Sequence, residues 1–244
     1  MRMLALVGTL LVGSAGVASA ADQGTRAGDA VFDWSGAYAG IHLGYGWGDS
    51  DFVDDEYNGA PPTFPTVRWG VKSDGVLGGI HAGYNWQYDR VVFGFEGELG
   101  YLDLKGKRLQ PGTDPFNVPY DAHGAVAGGW YAGVSARLGY AFGRALLYAK
   151  GGAVYSGTEL RFVDACTTAP CFIGTIDARE EVKWGYQVGG GIEHAVADNW
   201  TIRAEYAYLD FGRATITGRG AGGPFEGVIY STHADLTVHT VRIA

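Results

Sequence analysis

From residue 34 onward the chain consists of stretches in which apolar residues alternate with small or polar ones, the side-chain period of a β-strand. In 34–47, Ala37, Ala39, Ile41, Leu43, Tyr45 and Trp47 share one face, and Gly36, Tyr38, Gly40, His42, Gly44 and Gly46 share the other. The same two-faced pattern runs through 75–87, 91–102, 129–142, 145–155, 182–196 and 200–210. A last segment, from about Thr232 to the end, carries Leu236, Val238, Val241 and Ile243. The spacing break between Val238 and Val241 predicts a bulge or a shortened strand there. This makes eight strands, each near the roughly 9–11 residues that a tilted strand needs to cross a bilayer.

The connections alternate in length. Residues 88–90, 143–144 and 197–199 read as tight turns, whereas 49–72, 103–127, 157–181 and 211–231 read as long, polar, Gly- and Pro-rich loops. Short turns on one side and long loops on the other are the signature of an outer-membrane barrel. The expected fold is all-β: an eight-stranded antiparallel transmembrane up-and-down β-barrel with four long extracellular loops and three short periplasmic turns.

Alternation alone does not say which face meets lipid. Charge does. The minor face carries Glu96, Glu98, Glu193 and Glu205 together with Arg137, Lys150, Lys183, Arg203 and Arg242. Such a balance suits a narrow lumen, where opposite charges neutralise one another. We therefore expect a lumen ion-pair network of Glu96, Glu98, Arg137, Lys150, Lys183, Glu193, Arg203 and Glu205. The apolar face is almost free of charge, and its aromatics gather at strand ends. Trp34, Trp86 and Trp200 lie toward the short turns, and Trp47, Trp130 and Trp184 toward the long loops. Two such rings match the two bilayer interfaces. An eight-stranded barrel is just wide enough to be filled by side chains, so the interior should be a packed polar plug.

Composition sharpens this picture. Of 244 residues, 41 are Gly and 33 aromatic (7 Trp, 15 Tyr, 11 Phe), a mixture that disfavours a helical bundle. Strand glycines fall mainly on the minor face, for example Gly79, Gly83, Gly100, Gly133, Gly189 and Gly191. Glycine weakens a strand, so this bias implies a crowded interior. A formal net charge of −8 argues against nucleic acid as a partner. Residues 1–20 have a basic start, a short apolar run and an Ala18-Ser19-Ala20 cleavage site, the pattern of a cleaved signal peptide. The domain plan is a signal peptide (1–20), an N-terminal periplasmic segment (21–33) and the barrel (34–244).

Four stretches carry a family resemblance: FDWSGAYAGIHLGYGWG (32–48), GVLGGIHAGYNWQYDRVVFGFEGEL (75–99), LGYAFGRALLYAKGGAVY (138–155) and YQVGGGIEHAVADNWTIRAEYAYLDFG (186–212). Together they resemble the small outer-membrane immunogenic β-barrel proteins of Gram-negative bacteria, an opacity-type, OmpA-like group, over roughly 32–243. The resemblance implies a surface-exposed protein of the outer membrane that contacts outer-membrane lipid and lipopolysaccharide and contributes to envelope integrity. It also implies insertion by the outer-membrane insertion machinery. Some relatives are described as hemin-binding, adhesive or porin-like, so a host or heme ligand held by the loops, or a small channel, stands as the alternative. Relatives typically end on an aromatic residue. Here the sequence stops at Val241-Arg242-Ile243-Ala244, and we expect a few residues to follow in the natural chain.

Candidate chemistry is sparse. Cys166 and Cys171 share the third long loop, and in an exported protein they are expected to form a disulfide. His42 and His81 should fill polar positions in the lumen, and no spacing suggests a metal site, a cofactor or heme. Ser231, His233 and Asp235 fall on one face near the loop-side rim. A serine, a histidine and an acid would be needed by a barrel hydrolase, but a polar strand start explains the same residues. No enzymatic activity is expected.

Overall fold

The computed structural model describes residues 14–15, 31–57, 66–113, 119–164, 175–222, 226–227 and 229–244. The signal peptide and most of the N-terminal segment expected before residue 34, and the Cys166–Cys171 pair, lie outside the described residues, apart from Ser14 and Ala15, which pair with Thr201 and Trp200. No helix occurs among the described residues.

The strands are β1 (Gly36–Tyr57), β2 (Val67–Tyr88), β3 (Val91–Leu109), β4 (His123–Phe142), β5 (Ala145–Ser156), β6 (Glu159–Asp164), β7 (Ile176–Glu181), β8 (Trp184–Ala197), β9 (Trp200–Arg219) and β10 (Ile229–Ile243). Eight of them close a ring in the order β1-β2-β3-β4-β5-β8-β9-β10, and β10 pairs back onto β1. Every ladder is antiparallel, and around the ring each strand pairs with the next in sequence except where the β6–β7 hairpin is inserted between β5 and β8 and where β10 closes on β1. Closure leaves no free sheet edge in the bilayer, where an unpaired backbone group would cost several kcal/mol. The tight turns fall at Asp89–Arg90, Gly143–Arg144 and Asp198–Asn199. Asp89 and Gly143 take the left-handed conformation (φ 56° and 58°) that two-residue hairpins need.

Three expectations are corrected. First, the segments read as long loops are largely strand. β1 and β2 have 22 residues each, β4 and β9 have 20 each, and the ladder of β1 with β2 runs unbroken from Gly36–Asn85 to Asp54–Val67. At about 3.3 Å per residue and a tilt near 40°, a 22-residue strand stands about 55 Å tall, well beyond a hydrocarbon core of about 30 Å. β6 and β7 form a hairpin that continues β5 and β8 upward, with β6 paired to β4. Second, no bulge separates Val238 from Val241. β10 keeps continuous register with both neighbours from Thr237 to Ile243; the register shift against β9 lies before this stretch in sequence, between Asp235 and Thr237, opposite Arg213 and Asp210. The spacing breaks because Leu236 and Val238 point inward while Val241 and Ile243 point outward. Third, the alternation of 182–196 breaks at its start. Val182 and Lys183 sit between β7 and β8, opposite the Gly157–Thr158 break between β5 and β6. There Val182 N donates to Thr158 O (2.9 Å) and Ser156 N to Lys183 O (2.9 Å). Such an irregularity exchanges the two faces of a strand, so Val182 is buried and Lys183 exposed.

The barrel interior has three layers. Beside the short turns, Trp34, Val92, Ala141, Leu146, Tyr148 and Ala195 form an apolar cap, with Val31 and Phe32 packed on it. The middle layer is polar and ionic. On the loop side, a large apolar core includes Phe52, Trp69, Leu104, Leu160, Phe162, Ile176, Ile216 and Leu236. Outside, the order reverses. Residues such as Ile41, Val76, Phe95, Val134, Leu147 and Ile192 are exposed at bilayer depth, and charged residues such as Lys72, Lys105, Arg161, Asp177 and Arg213 cover the loop-side tier. A polar-cored membrane barrel therefore continues into an apolar-cored barrel that stands in water.

Candidate functional site

The ionic layer is built from inward-facing residues on six consecutive strands of the ring, β3, β4, β5, β8, β9 and β10. Register sets its difficulty. Arg137 of β4 lies directly opposite Lys150 of β5, a like-charge pair that is destabilising unless acids intervene. The acids come from elsewhere on the ring. Lys150 Nζ reaches Glu96 Oε1 of β3 at 3.0 Å and Glu205 Oε1 of β9 at 2.9 Å, with Glu98 at 3.8 Å. Arg137 Nη2 donates to Glu193 Oε2 of β8 at 2.8 Å. Arg203 of β9 faces Glu193 in register and bridges it (3.2 Å) to Glu96 (2.6 Å). Arg242 of β10 donates to Glu98 and approaches Glu205 at 3.5 Å.

Tyrosines and a threonine add hydrogen bonds to three of the four carboxylates, Glu98 having none of these. Tyr38 OH donates to Glu96 (3.0 Å), Tyr148 OH to Glu205 (2.6 Å) and Thr201 Oγ1 to Glu193 (2.8 Å). The Arg137 guanidinium lies 4.0 Å from the Tyr148 ring centroid, within cation–π range. Four carboxylates and four bases, none more than 7% exposed, thus neutralise one another. A buried charge is tolerated only when paired and hydrogen-bonded in this way.

Of the expected network, Glu96, Glu98, Arg137, Lys150, Glu193, Arg203 and Glu205 come together. Lys183 does not. It lies within the β7–β8 irregularity, exposed, 3.7 Å from Glu180. Arg242 occupies the fourth basic position instead. The roles of Tyr38 and Tyr148 go beyond the sequence reading, although their minor-face positions were the available signal.

His42 and His81 face each other above this layer (Nδ1 to Nδ1 3.4 Å), and Tyr131 OH is 2.6 Å from His42 Nε2. They border a cavity of about 10 Å³, room for a single water, together with Glu96, Glu98, Lys150 and Arg242. No group of three or more metal-ligating side chains occurs among the described residues. Glycines make room for the large lumen groups. A Cβ on Gly83 would come within 2.5 Å of the Tyr38 hydroxyl, and one on Gly100 within 2.8 Å of the Tyr131 ring.

The aromatic positions divide similarly. Trp86, Trp200, Trp47, Trp130 and Trp184 are exposed on the outer face. Trp130 stacks on Tyr155 (5.1 Å), which meets Trp184 edge-on (5.2 Å), and Trp47 stacks on His239 (5.6 Å). Trp34 is no girdle residue. It is buried under the barrel mouth, 5.0 Å from Phe32, where Trp34 N donates to Gln87 Oε1 (2.7 Å) and Phe32 N to Gly143 O (3.0 Å). The chain crosses the opening before it enters β1, which turns this tryptophan inward.

Ser231, His233 and Asp235 do share the outer face, but each lies opposite its own partner on β9. Ser231 faces Thr217, His233 faces Thr215 (3.1 Å) and Asp235 faces Arg213 (3.4 Å). Successive residues on one strand face stand about 7 Å apart, too far to relay a proton. Elsewhere on this tier, hydrogen bonds from Arg161 hold the Asp177 carboxyl below its ordinary pKa, and burial lowers that of His123.

Comparison with known proteins places this geometry. The chain is 29% identical over 188 residues to the 31 kDa outer-membrane immunogenic protein of Brucella melitensis, covering 76% of this chain and 75% of that one. It is 25% identical over 181 residues to the 25 kDa outer-membrane immunogenic protein of Brucella abortus (74% and 67%). Among solved structures it is similar to the outer membrane protein OprG of Pseudomonas aeruginosa, with a TM-score of 0.45 and 13% identity over 86% of this chain and 94% of that one. Residues 7–243 match the outer membrane protein beta-barrel domain, and the chain belongs to that family of outer-membrane β-barrel proteins.

Proposed function

We propose that the protein is a structural, surface-exposed barrel that contributes to the integrity of the outer membrane, with no catalytic activity and no open pore. On this reading it stands against lipopolysaccharide, enters the membrane through the outer-membrane insertion machinery and presents its tall loop-side tier to the surroundings. One observation carries the proposal. The ionic layer, neutral within itself, is shut between the apolar cap around Trp34 and the apolar core around Phe52, Leu104 and Leu236. An ion crossing the barrel would have to leave water twice, and side-chain packing leaves room for about one water beside the histidines.

The test has two parts. Planar-bilayer recording of the folded protein, verified by a heat-dependent shift in gel mobility, should show no discrete conductance steps. A strain lacking the protein should become more sensitive to detergent. Regular conductance steps would replace this reading with that of a small channel.

A further inference from the structure

The water-facing wall of the loop-side tier is not uniform in charge. On the side formed by β6, β7, β9 and β10, three bases are paired with acids, and Arg219 donates to Gly227 O at 3.3 Å. Arg161 bonds Asp177, Arg179 lies 3.8 Å from Glu159, and Arg213 lies 3.4 Å from Asp235. On β2 and β3 the balance differs. Lys105, Lys107 and Arg108 follow one another along β3, and Lys72 lies beside them on β2. A Cβ on Gly106 would come within 2.4 Å of Lys72 O, and Arg108 Nη1 donates to Gly70 O at 3.0 Å. Lys105 holds Asp103 (2.8 Å). Lys72 faces Asp49 in register without an ion pair, and Lys107 and Arg108 have no carboxylate partner among the described residues. Across the ladder, Lys105 and Lys107 face Ala127 and Ala125 of β4, which bring no counter-charge. Asp51 and Asp74 border the group on β1 and β2, and Tyr45 OH donates to Asp74.

Depth decides what this ridge can meet. Tyr101 and Trp130 pair across β3 and β4 in the aromatic girdle. Lys105 lies four residues above Tyr101, which is about 13 Å along the strand and about 10 Å along the membrane normal at the usual tilt. The polar headgroup zone extends about 5–8 Å beyond the hydrocarbon, and a lysine stem can bend back toward it. Lys72 faces Asp49, two residues above girdle Trp47 and so about 5 Å higher along the normal, which puts the ammonium groups of Lys72 and Lys105 at the level of headgroup phosphates, while Lys107, about 15 Å above Tyr101, reaches toward that level by bending its stem down.

We propose that Lys72, Lys105, Lys107 and Arg108 form a docking ridge for the phosphate groups of the glycolipid in the outer leaflet. The inference rests on the reading that the barrel stands against lipopolysaccharide, and it assigns that contact to one wall. Phosphate oxygens would take the place of the missing carboxylates, leaving the β9–β10 wall free of specific lipid.

The experiment uses the full folded protein in detergent and bisphosphorylated lipid A as the probe, followed by native mass spectrometry. The combined variant Lys72→Gln/Lys105→Gln/Lys107→Gln/Arg108→Gln should bind lipid A at least tenfold more weakly. A control variant, Arg161→Gln/Arg179→Gln/Arg213→Gln, should bind as the parent does. Dephosphorylated lipid A should bind the parent weakly. If the combined variant loses its heat-dependent gel shift, Lys72→Gln/Lys107→Gln serves instead, with a severalfold loss expected. Equal binding by parent and ridge variants would refute the ridge while leaving contact with lipopolysaccharide in place. No binding by the parent would refute both. Ridge-dependent binding of heparin without binding of lipid A would overturn the proposal in favour of a soluble anionic polymer.

Discussion

Arg203 reaches across the full width of the barrel to Glu96, Nη1 to Oε2 at 2.6 Å. Three strands separate β9 from β3 in either direction around the ring. The closed ring brings these residues, 107 apart in sequence, into contact across the lumen. The pair therefore works as a strut that fixes the barrel's cross-section. Removing one member of a buried, hydrogen-bonded pair strands the other charge, at a cost of about 3–5 kcal/mol. Glu96→Gln should lose about that much stability in guanidinium unfolding of the vesicle-reconstituted protein. Glu96→Gln/Lys150→Met restores neutrality and should cost less than the sum of the two single variants, because the two groups share one network.

The apolar cap makes a separate prediction. Trp34 fills the mouth between the turns, whereas Trp86 lies against lipid on the outer face. Trp34→Ala leaves a cavity and should cost about 3–5 kcal/mol, as for large aromatic residues in protein cores. Trp86→Ala exposes only lipid to lipid and should cost clearly less. The same unfolding assay separates them, and equal losses would mean that Trp34 is not part of a packed core.

The strands across the bilayer were legible because one chemical rule governs them: apolar outward, small or polar inward. That rule placed the turns, the ring, and all of the expected ionic residues except Lys183. It failed where the rule inverts. Phe52, Trp69, Leu104, Phe162 and Ile216 are periodic, but they alternate with Asp51, Lys105, Arg161 and Thr217, so 49–72 and 211–231 look polar on average and read as loops. Lys183 was misplaced by a break of two residues whose only sequence trace is the local Gly157–Thr158 opposite. Trp34 was misplaced because its orientation depends on where the chain crosses the mouth, which no periodicity encodes.

Glycine placement supplies a test within one strand pair. Gly83 faces the lumen, where a Cβ would meet Phe95 O at 2.4 Å and Tyr38 OH at 2.5 Å. Gly97 faces lipid, and the nearest atom to its Cβ would be 3.9 Å away. Overpacking a filled interior costs about 1–3 kcal/mol, so Gly83→Ala should be destabilising by that order. Gly97→Ala should be neutral or mildly stabilising, since alanine loses less conformational entropy on folding. Reversal of this order in the unfolding assay would contradict the packed lumen.

The inversion between tiers can be read from a single strand. On β9, Ala204 points to lipid, Thr217 points outward above the bilayer and Ile216 points into the upper core. A lysine at mid-bilayer on the lipid face costs about 2–4 kcal/mol, so Ala204→Lys should be strongly destabilising. Thr217→Lys lies on the same outer face, yet it should change stability by no more than about 0.5 kcal/mol, as expected of a water-facing position. Ile216→Lys, only one residue away, should again be costly, because it would bury an unpaired charge among Ala178, Ile176 and their neighbours. A membrane barrel topped by flexible loops would tolerate lysine equally at 216 and 217. A wide gap between those two variants, alongside the loss at 204, is the outcome that a rigid, apolar-cored tier standing on a polar-cored barrel requires.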